Sequence, residues 1–118
     1  MQGLAVGEAA RACGMKASVL RYYEQAGLIP PVARDRAGRR VFSASDLAWI
    51  RYAACLRSLG MGVAAIARYV SAAQRVDGHD EQMALLVEHL ERMRSQRAAL
   101  DHFIAIAEVK LAAGGVKT

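Results

Sequence analysis

Apolar and polar positions follow a helical period along most of this chain, with breaks that punctuate it into short blocks. Good helix formers run from Val6 to Cys13, and Gly14 closes the block. A second block opens at Lys16-Ala17-Ser18 and runs to about Ala26, where Gly27 stops it and Pro30-Pro31 bars continuation. Two short helices joined by a glycine-containing turn predict a helix-turn-helix. The period then lapses. "ARDRAGRRVFS" has few apolar positions, sets Gly38 among arginines and ends on the β-favouring pair Val41-Phe42, which predicts a two-stranded hairpin, or wing. "SASD" at 43–46 supplies Ser43 as N-cap and Asp46 three positions on, a capping-box variant. The helix it starts runs to about Leu59. Gly60-Met61-Gly62 interrupts, and another helix follows from Val63 to Arg75.

The last block, roughly 80–113, is a single long helix. Its apolar residues fall at Met83, Leu86, Leu90, Met93, Leu100, Ile104, Ala107 and Leu111, in steps of three and four that only Arg97 interrupts. That is a heptad seam. About 34 residues at 1.5 Å each make roughly 50 Å of helix. A domain this small cannot bury that length internally, so a coiled coil with a second copy accounts for the seam better than a helix folded back on its own domain. Leu86, Leu90, Met93, Leu100, Ile104 and Leu111 are the expected dimer interface. The seam does not decide whether the two helices run parallel.

Composition sharpens this picture. Of 118 residues 54% are hydrophobic, but 24 are alanine, so the bulky core is thin and a partner subunit is a natural source of further burial. The net charge is +5 and the pI near 9.7, which suits an anionic partner. Charge is also divided. Residues 1–75 hold 11 Lys and Arg against 4 Asp and Glu, a net +7; residues 76–118 hold 5 against 7, a net −2. The expected boundary lies near Val76–Gly78, giving a domain at 1–76 and a coiled-coil helix with a short tail at 77–118. No stretch approaches the roughly 18 apolar residues of a membrane span, and no basic region precedes an apolar run at the N-terminus. Two cysteines without CxxC spacing are neither a disulfide framework nor a metal knuckle. A cytoplasmic, reduced protein without cofactor or metal is expected.

Candidate chemistry concentrates in the second helix. Leu20 and Tyr23 fall on one side. Ser18, Arg21, Tyr22 and Gln25 fall on the other, at helical spacing. That polar face carries a guanidinium fork, a phenol, a hydroxyl and an amide, groups that contact base edges and phosphates in a major groove. The helix N-terminus with Lys16 adds a phosphate site. On this helix alone, a second reading makes both tyrosines core and Arg21 a surface charge. The hairpin shifts the balance: Arg34, Arg36, Arg39 and Arg40 crowd a stretch that needs no such density unless it lies along a phosphate backbone.

"LRYYEQAGLIPP", followed by "GRRVFSASDLAWIRYAACLRSLGMGVAAIARYV", strongly resembles the N-terminal region of the MerR family of bacterial transcription regulators. The resemblance runs from about Val6 to Val70, and the long helix after it suits that family's dimerisation helix. It implies a mostly α fold: a winged helix-turn-helix with a small β-hairpin wing, a second wing from the third and fourth helices, and a long C-terminal helix forming an antiparallel coiled coil. It implies a homodimer on a palindromic site in double-stranded promoter DNA, distorting that DNA so that RNA polymerase can use promoter elements set too far apart. By position, the resemblance makes Arg21, Tyr22, Arg40 and Arg57 DNA contacts. Arg39 departs from the pattern, since many relatives carry tyrosine in a GYR triplet there.

The long helix and tail hold no cysteine, so the thiolate loops of metal sensors and the iron–sulfur cluster of redox sensors are missing. His79, His89 and His102 are scattered and read as solvated surface. Cys55, in "AACLRSLGM", resembles the proposed sensor of the aldehyde-responsive NmlR/AdhR branch, which "LVEHLERM" also suits. Arg51 and Arg57 would favour its thiolate, and a helix C-terminus would oppose it. An inert buried cysteine remains the other reading. Cys13 reads as structural. A thiol enzyme is not expected, because no nucleophile motif surrounds Cys55. An architectural or excisionase-like DNA protein without an effector remains the alternative to a regulator.

Overall fold

The computed structural model describes residues 3–114. Five helices and one hairpin follow the expected order: α1 (Val6–Ala12), α2 (Ala17–Gln25), β1 (Ala33–Arg34), β2 (Arg40–Val41), α3 (Ala44–Ser58), α4 (Val63–Gln74) and α5 (His79–Ala112). The chain divides into two compact units, Met1–Leu85 and Leu86–Thr118.

In the first unit, three helices end by the same device. At α2, the N–H of Gly27 reaches the carbonyl of Glu24 at 3.2 Å and the N–H of Leu28 reaches that of Tyr23 at 2.9 Å. This is a Schellman closure, and it needs the left-handed conformation that Gly27 adopts, with φ of 78°. Gly14-Met15 closes α1 and Gly60-Met61 closes α3 with the same pair of bonds. The residue after each glycine then turns inward: Leu28 and Met61 are buried and Met15 packs against the core. α3 begins at a complete capping box. The N–H of Asp46 donates to Ser43 Oγ at 3.1 Å, and the N–H of Ser43 donates to Asp46 Oδ2 at 2.8 Å.

The hairpin pairs Ala33 with Val41 and Arg34 with Arg40, antiparallel. Leu4 extends it, exchanging two backbone hydrogen bonds with Phe42 at 2.9 and 2.8 Å. Phe42 is thereby drawn into a core shared with Leu20, Leu28, Ile50, Ile66 and Val70. Cys13 packs against that core, in line with its structural reading. Between α4 and α5 the turn is tight. A Cβ at Gly78 would lie 2.0 Å from the carbonyl oxygen of Ala72, so only glycine fits there.

In the second unit, α5 carries Leu100, Phe103, Ile104, Val109 and Leu111 in solvent. Phe103, Ile106 and Val109 lie off the expected seam, so apolar exposure in the last turns of α5 is wider than a single stripe. Among the described residues no helix is long and apolar enough to cross a membrane.

The expectation of three solvated histidines fails at His89. His79 and His102 are exposed, but His89 is 2% exposed, and neither ring nitrogen has a hydrogen-bond partner among the described residues. His89 lies one turn after the buried Leu85, on the same face of α5. The sequence shows three scattered imidazoles alike; only the fold distinguishes the buried ring of His89 from the exposed rings of His79 and His102.

Candidate nucleic-acid interface

α2 separates its two tyrosines as its periodicity requires. Tyr23 is buried in the core, whereas its neighbour Tyr22 is 46% exposed. Lys16, Ser18, Arg21 and Gln25 are exposed as well. The polar face of this helix is therefore open along its length. No side chain caps its N-terminus at Lys16; the N–H of Val19 turns back to the Lys16 carbonyl at 3.0 Å, and among the described residues those of Ala17 and Ser18 have no partner and can meet an anion.

The fold brings α2 and the wing together. Arg21, Arg34, Arg39 and Arg40 line one cleft of about 290 Å³ with Ala5, Val6 and Gly38. Arg39 and Arg40 each have a carboxylate partner, Asp35 and Glu24, and with Arg21 and Arg34 beside them the opening keeps an excess of guanidinium charge, the chemistry of a phosphate site. Arg36 is exposed at the wing turn and Arg57 on the last turn of α3; neither lines the cleft.

Two carboxylates that sequence reasoning passed over organise these arginines. Asp35 closes the wing turn. Its Oδ1 accepts the backbone N–H groups of Ala37 at 2.9 Å and Arg39 at 3.0 Å, and its Oδ2 accepts Arg39 Nε at 3.2 Å. The N–H of Arg39 foremost, then that of Ala37 and the Arg39 charge, hold the Asp35 carboxyl below its usual range. Arg39, the departure from the family triplet, is thus tied to the wing turn itself. Arg34 also donates to the carbonyl of Gly38, at 2.6 Å. The second carboxylate is Glu24 on α2, whose Oε1 accepts Arg40 Nε in an ion pair. Asp35 could have been suspected from its place in a D-x-x-G turn. Glu24 could not, because its partner lies 16 residues away on another element.

Cys55 is exposed on α3, so it is not packed into the core of its own chain. Arg51 does not attend the thiol: its guanidinium donates to the carbonyl of Ala12 at 3.1 Å. One turn before Cys55, Tyr52 meets Trp49 and Tyr69 with ring centroids 6.3 and 5.9 Å away. Burial first, then the neighbouring Tyr69 phenol, pushes the Tyr52 phenol up to about 12, so it stays neutral.

A family model described as "MerR HTH family regulatory protein" matches residues 4–73. The chain belongs to the MerR family. Among relatives of this MerR protein, an HTH-type transcriptional regulator of Haemophilus influenzae is 33% identical over 108 residues, covering 89% of this chain and 78% of that protein. The regulator AdhR of Bacillus subtilis is 38% identical over 66 residues, covering 56% of this chain and 47% of AdhR. Among solved structures, HiNmlR, a MerR family regulator lacking the sensor domain and bound to promoter DNA, superposes with a TM-score of 0.86 at 31% identity, covering 94% of this chain and 89% of that one. A MerR family regulator from Listeria monocytogenes superposes at 0.91 with 26% identity, covering 97% of this chain and 87% of that one. The wing, the helix-turn-helix and the long C-terminal helix are therefore those of a MerR transcriptional regulator.

Proposed function

We propose that this MerR protein binds a palindromic promoter site as a homodimer and regulates transcription by distorting that DNA for RNA polymerase. The observation that carries the reading is the arginine cleft between α2 and the wing, beside the open face of Arg21 and Tyr22. Phosphates held by Lys16, Arg34, Arg36, Arg39, Arg40 and Arg57 would set the register, while Ser18, Arg21 and Tyr22 would meet base edges. The promoter DNA in the HiNmlR structure supports the same kind of target here. Exposed Leu90, Leu100, Ile104 and Leu111 on α5, with Leu86 and Met93 beside them, support pairing with a second copy.

The signal we assign is an aldehyde or other electrophile acting at Cys55. The thiol is open to solvent, and AdhR-type regulators are among the relatives. Electrophiles react with the thiolate form of cysteine, and a small bias between two DNA-bound geometries is enough to switch a promoter.

Footprinting on the DNA beside the gene tests the reading. One protected, dyad-symmetric site between promoter elements is expected; scattered protection would favour an architectural protein. Arg21→Ala should cost roughly 1–3 kcal/mol on that site if it meets a base. In a reporter exposed to formaldehyde, Cys55→Ser should bind but fail to respond, while Cys13→Ser responds normally. A full response from Cys55→Ser would remove the thiol from the mechanism.

A further inference from the structure

Residues 1–75 contain four carboxylates amid eleven basic residues, in a region whose reading requires attraction to a polyanion. Three have local duties. Glu8 accepts the N–H of Ala5 at 3.0 Å, Asp35 closes the wing turn, and Asp46 completes the cap of α3. Glu24 has none. It stands in the last turn of α2, where a negative charge meets the negative end of the helix dipole and is locally unfavourable. Its partner, Arg40, is on the wing. The side chains are 15% and 21% exposed, so solvent screens this pair less than a surface pair.

The geometry is directional. Glu24 takes only the Nε edge of the Arg40 guanidinium. Arg40 also lines the arginine cleft, whereas Glu24 does not; Glu24 lines a different groove with Gly27, Ile29 and Ala67. The carboxylate therefore holds one edge of the fork and leaves the rest for an anion in the cleft.

We propose that Glu24 is a positioning residue that locks the wing to the recognition helix through Arg40, so that phosphate contact and base contact are made in one register. This rests on the promoter-binding reading and adds a role for an acidic residue within it. A freed Arg40 would reach phosphates in many registers, so it would strengthen binding to any DNA more than binding to the operator. Glu24 raises sequence discrimination at the expense of total affinity.

The experiment uses the full-length chain, the duplex that the wild type selects from a random pool, and an unselected duplex of equal length. Affinity is measured across a salt series. Glu24→Gln removes the charge and nearly keeps the shape. It should tighten binding to the unselected duplex, steepen its salt slope by about 1 and lower the ratio of selected to unselected affinity about tenfold. Glu24→Asp should restore part of that ratio. In an Arg40→Ala background, Glu24→Gln should change the ratio no further. A Glu24→Gln ratio and slope equal to wild type would overturn the proposal. So would a parallel loss on both duplexes with a lower melting temperature, the mark of a merely structural pair. A wild type that selects no sequence would overturn the promoter-binding reading itself.

Discussion

Phe42 and Leu100 are both large apolar side chains, and they have opposite surroundings. Phe42 is 1% exposed, seated among Leu20, Leu28 and Ile50 after Leu4 pairs with its backbone. Leu100 is 62% exposed on a helix whose neighbouring turns also show Phe103 and Ile104 to solvent. The first unit folds α1 to α4 and the wing around one core, so its apolar side chains find cover within the chain. Among its described residues the second unit is one helix, running on to Ala112, without a second layer of its own. Hydrophobic burial favours removing such side chains from water wherever a surface is available. For the first unit that surface is supplied by a unimolecular step; for the second, in our reading, by another copy.

The sharpest way to test this contrast is to damage each side and vary the protein concentration. Phe42→Ala should cost about 3–5 kcal/mol, through lost burial and the cavity left behind. Denaturant melts at two concentrations tenfold apart should show the same loss. Next in size, Leu100→Asp should cost on the order of 3 kcal/mol of dimer stability by placing an unpaired carboxylate in the interface. Sedimentation should shift from dimer toward monomer, while the near-ultraviolet signal of Trp49 in the first unit stays as in wild type. A wild type that sediments as a monomer at micromolar concentration would break the contrast, and the palindromic operator would go with it.

The smallest effect belongs to His89, which fits neither pattern because a polar ring is buried on a mostly exposed helix. Burial, then the nearby Arg92 charge, holds its imidazole below the ordinary 6.5. The folded protein therefore keeps it neutral. Above about pH 6.5 both folded and unfolded chains are neutral there, and the site adds no pH dependence. Below that, the unfolded chain takes up a proton that the folded chain resists, so stability falls with acid until the depressed folded value is passed. His89→Leu should remove this acid slope and, with two unpartnered nitrogens gone, stabilise the protein by about 1–2 kcal/mol. Thermal melts at pH 5 and 7.5 decide it; an unchanged pH slope in His89→Leu would place the acid sensitivity elsewhere.

Much of the fold was legible in order because its signals are local. Ser43 and Asp46 announce a helix start that both halves of the capping box then make. Gly14, Gly27 and Gly60 announce ends that all close the same way. The heptad steps from Met83 to Leu111 required a long helix, which is α5. Residue period also separated Tyr22 from Tyr23, because a 100° turn per residue puts adjacent side chains on different faces. These features depend on spacings of a few residues, and spacing is what a sequence displays.

Tertiary structure decided the rest. It chose which arginines share a cleft: Arg21, Arg34, Arg39 and Arg40 do, while Arg36 and Arg57 do not, although all six read alike as basic residues. It matched Glu24 with Arg40 and turned Arg51 to Ala12, away from the role expected of it beside Cys55. It exposed Cys55 and buried His89, reversing what hydrophobicity alone suggests for a thiol and an imidazole. The shared cleft, the Glu24–Arg40 pair and the turn of Arg51 each depend on which side of an element faces another element many residues away. A side chain's charge and burial are set by whatever the fold places opposite it, and the sequence writes only its neighbours along the chain.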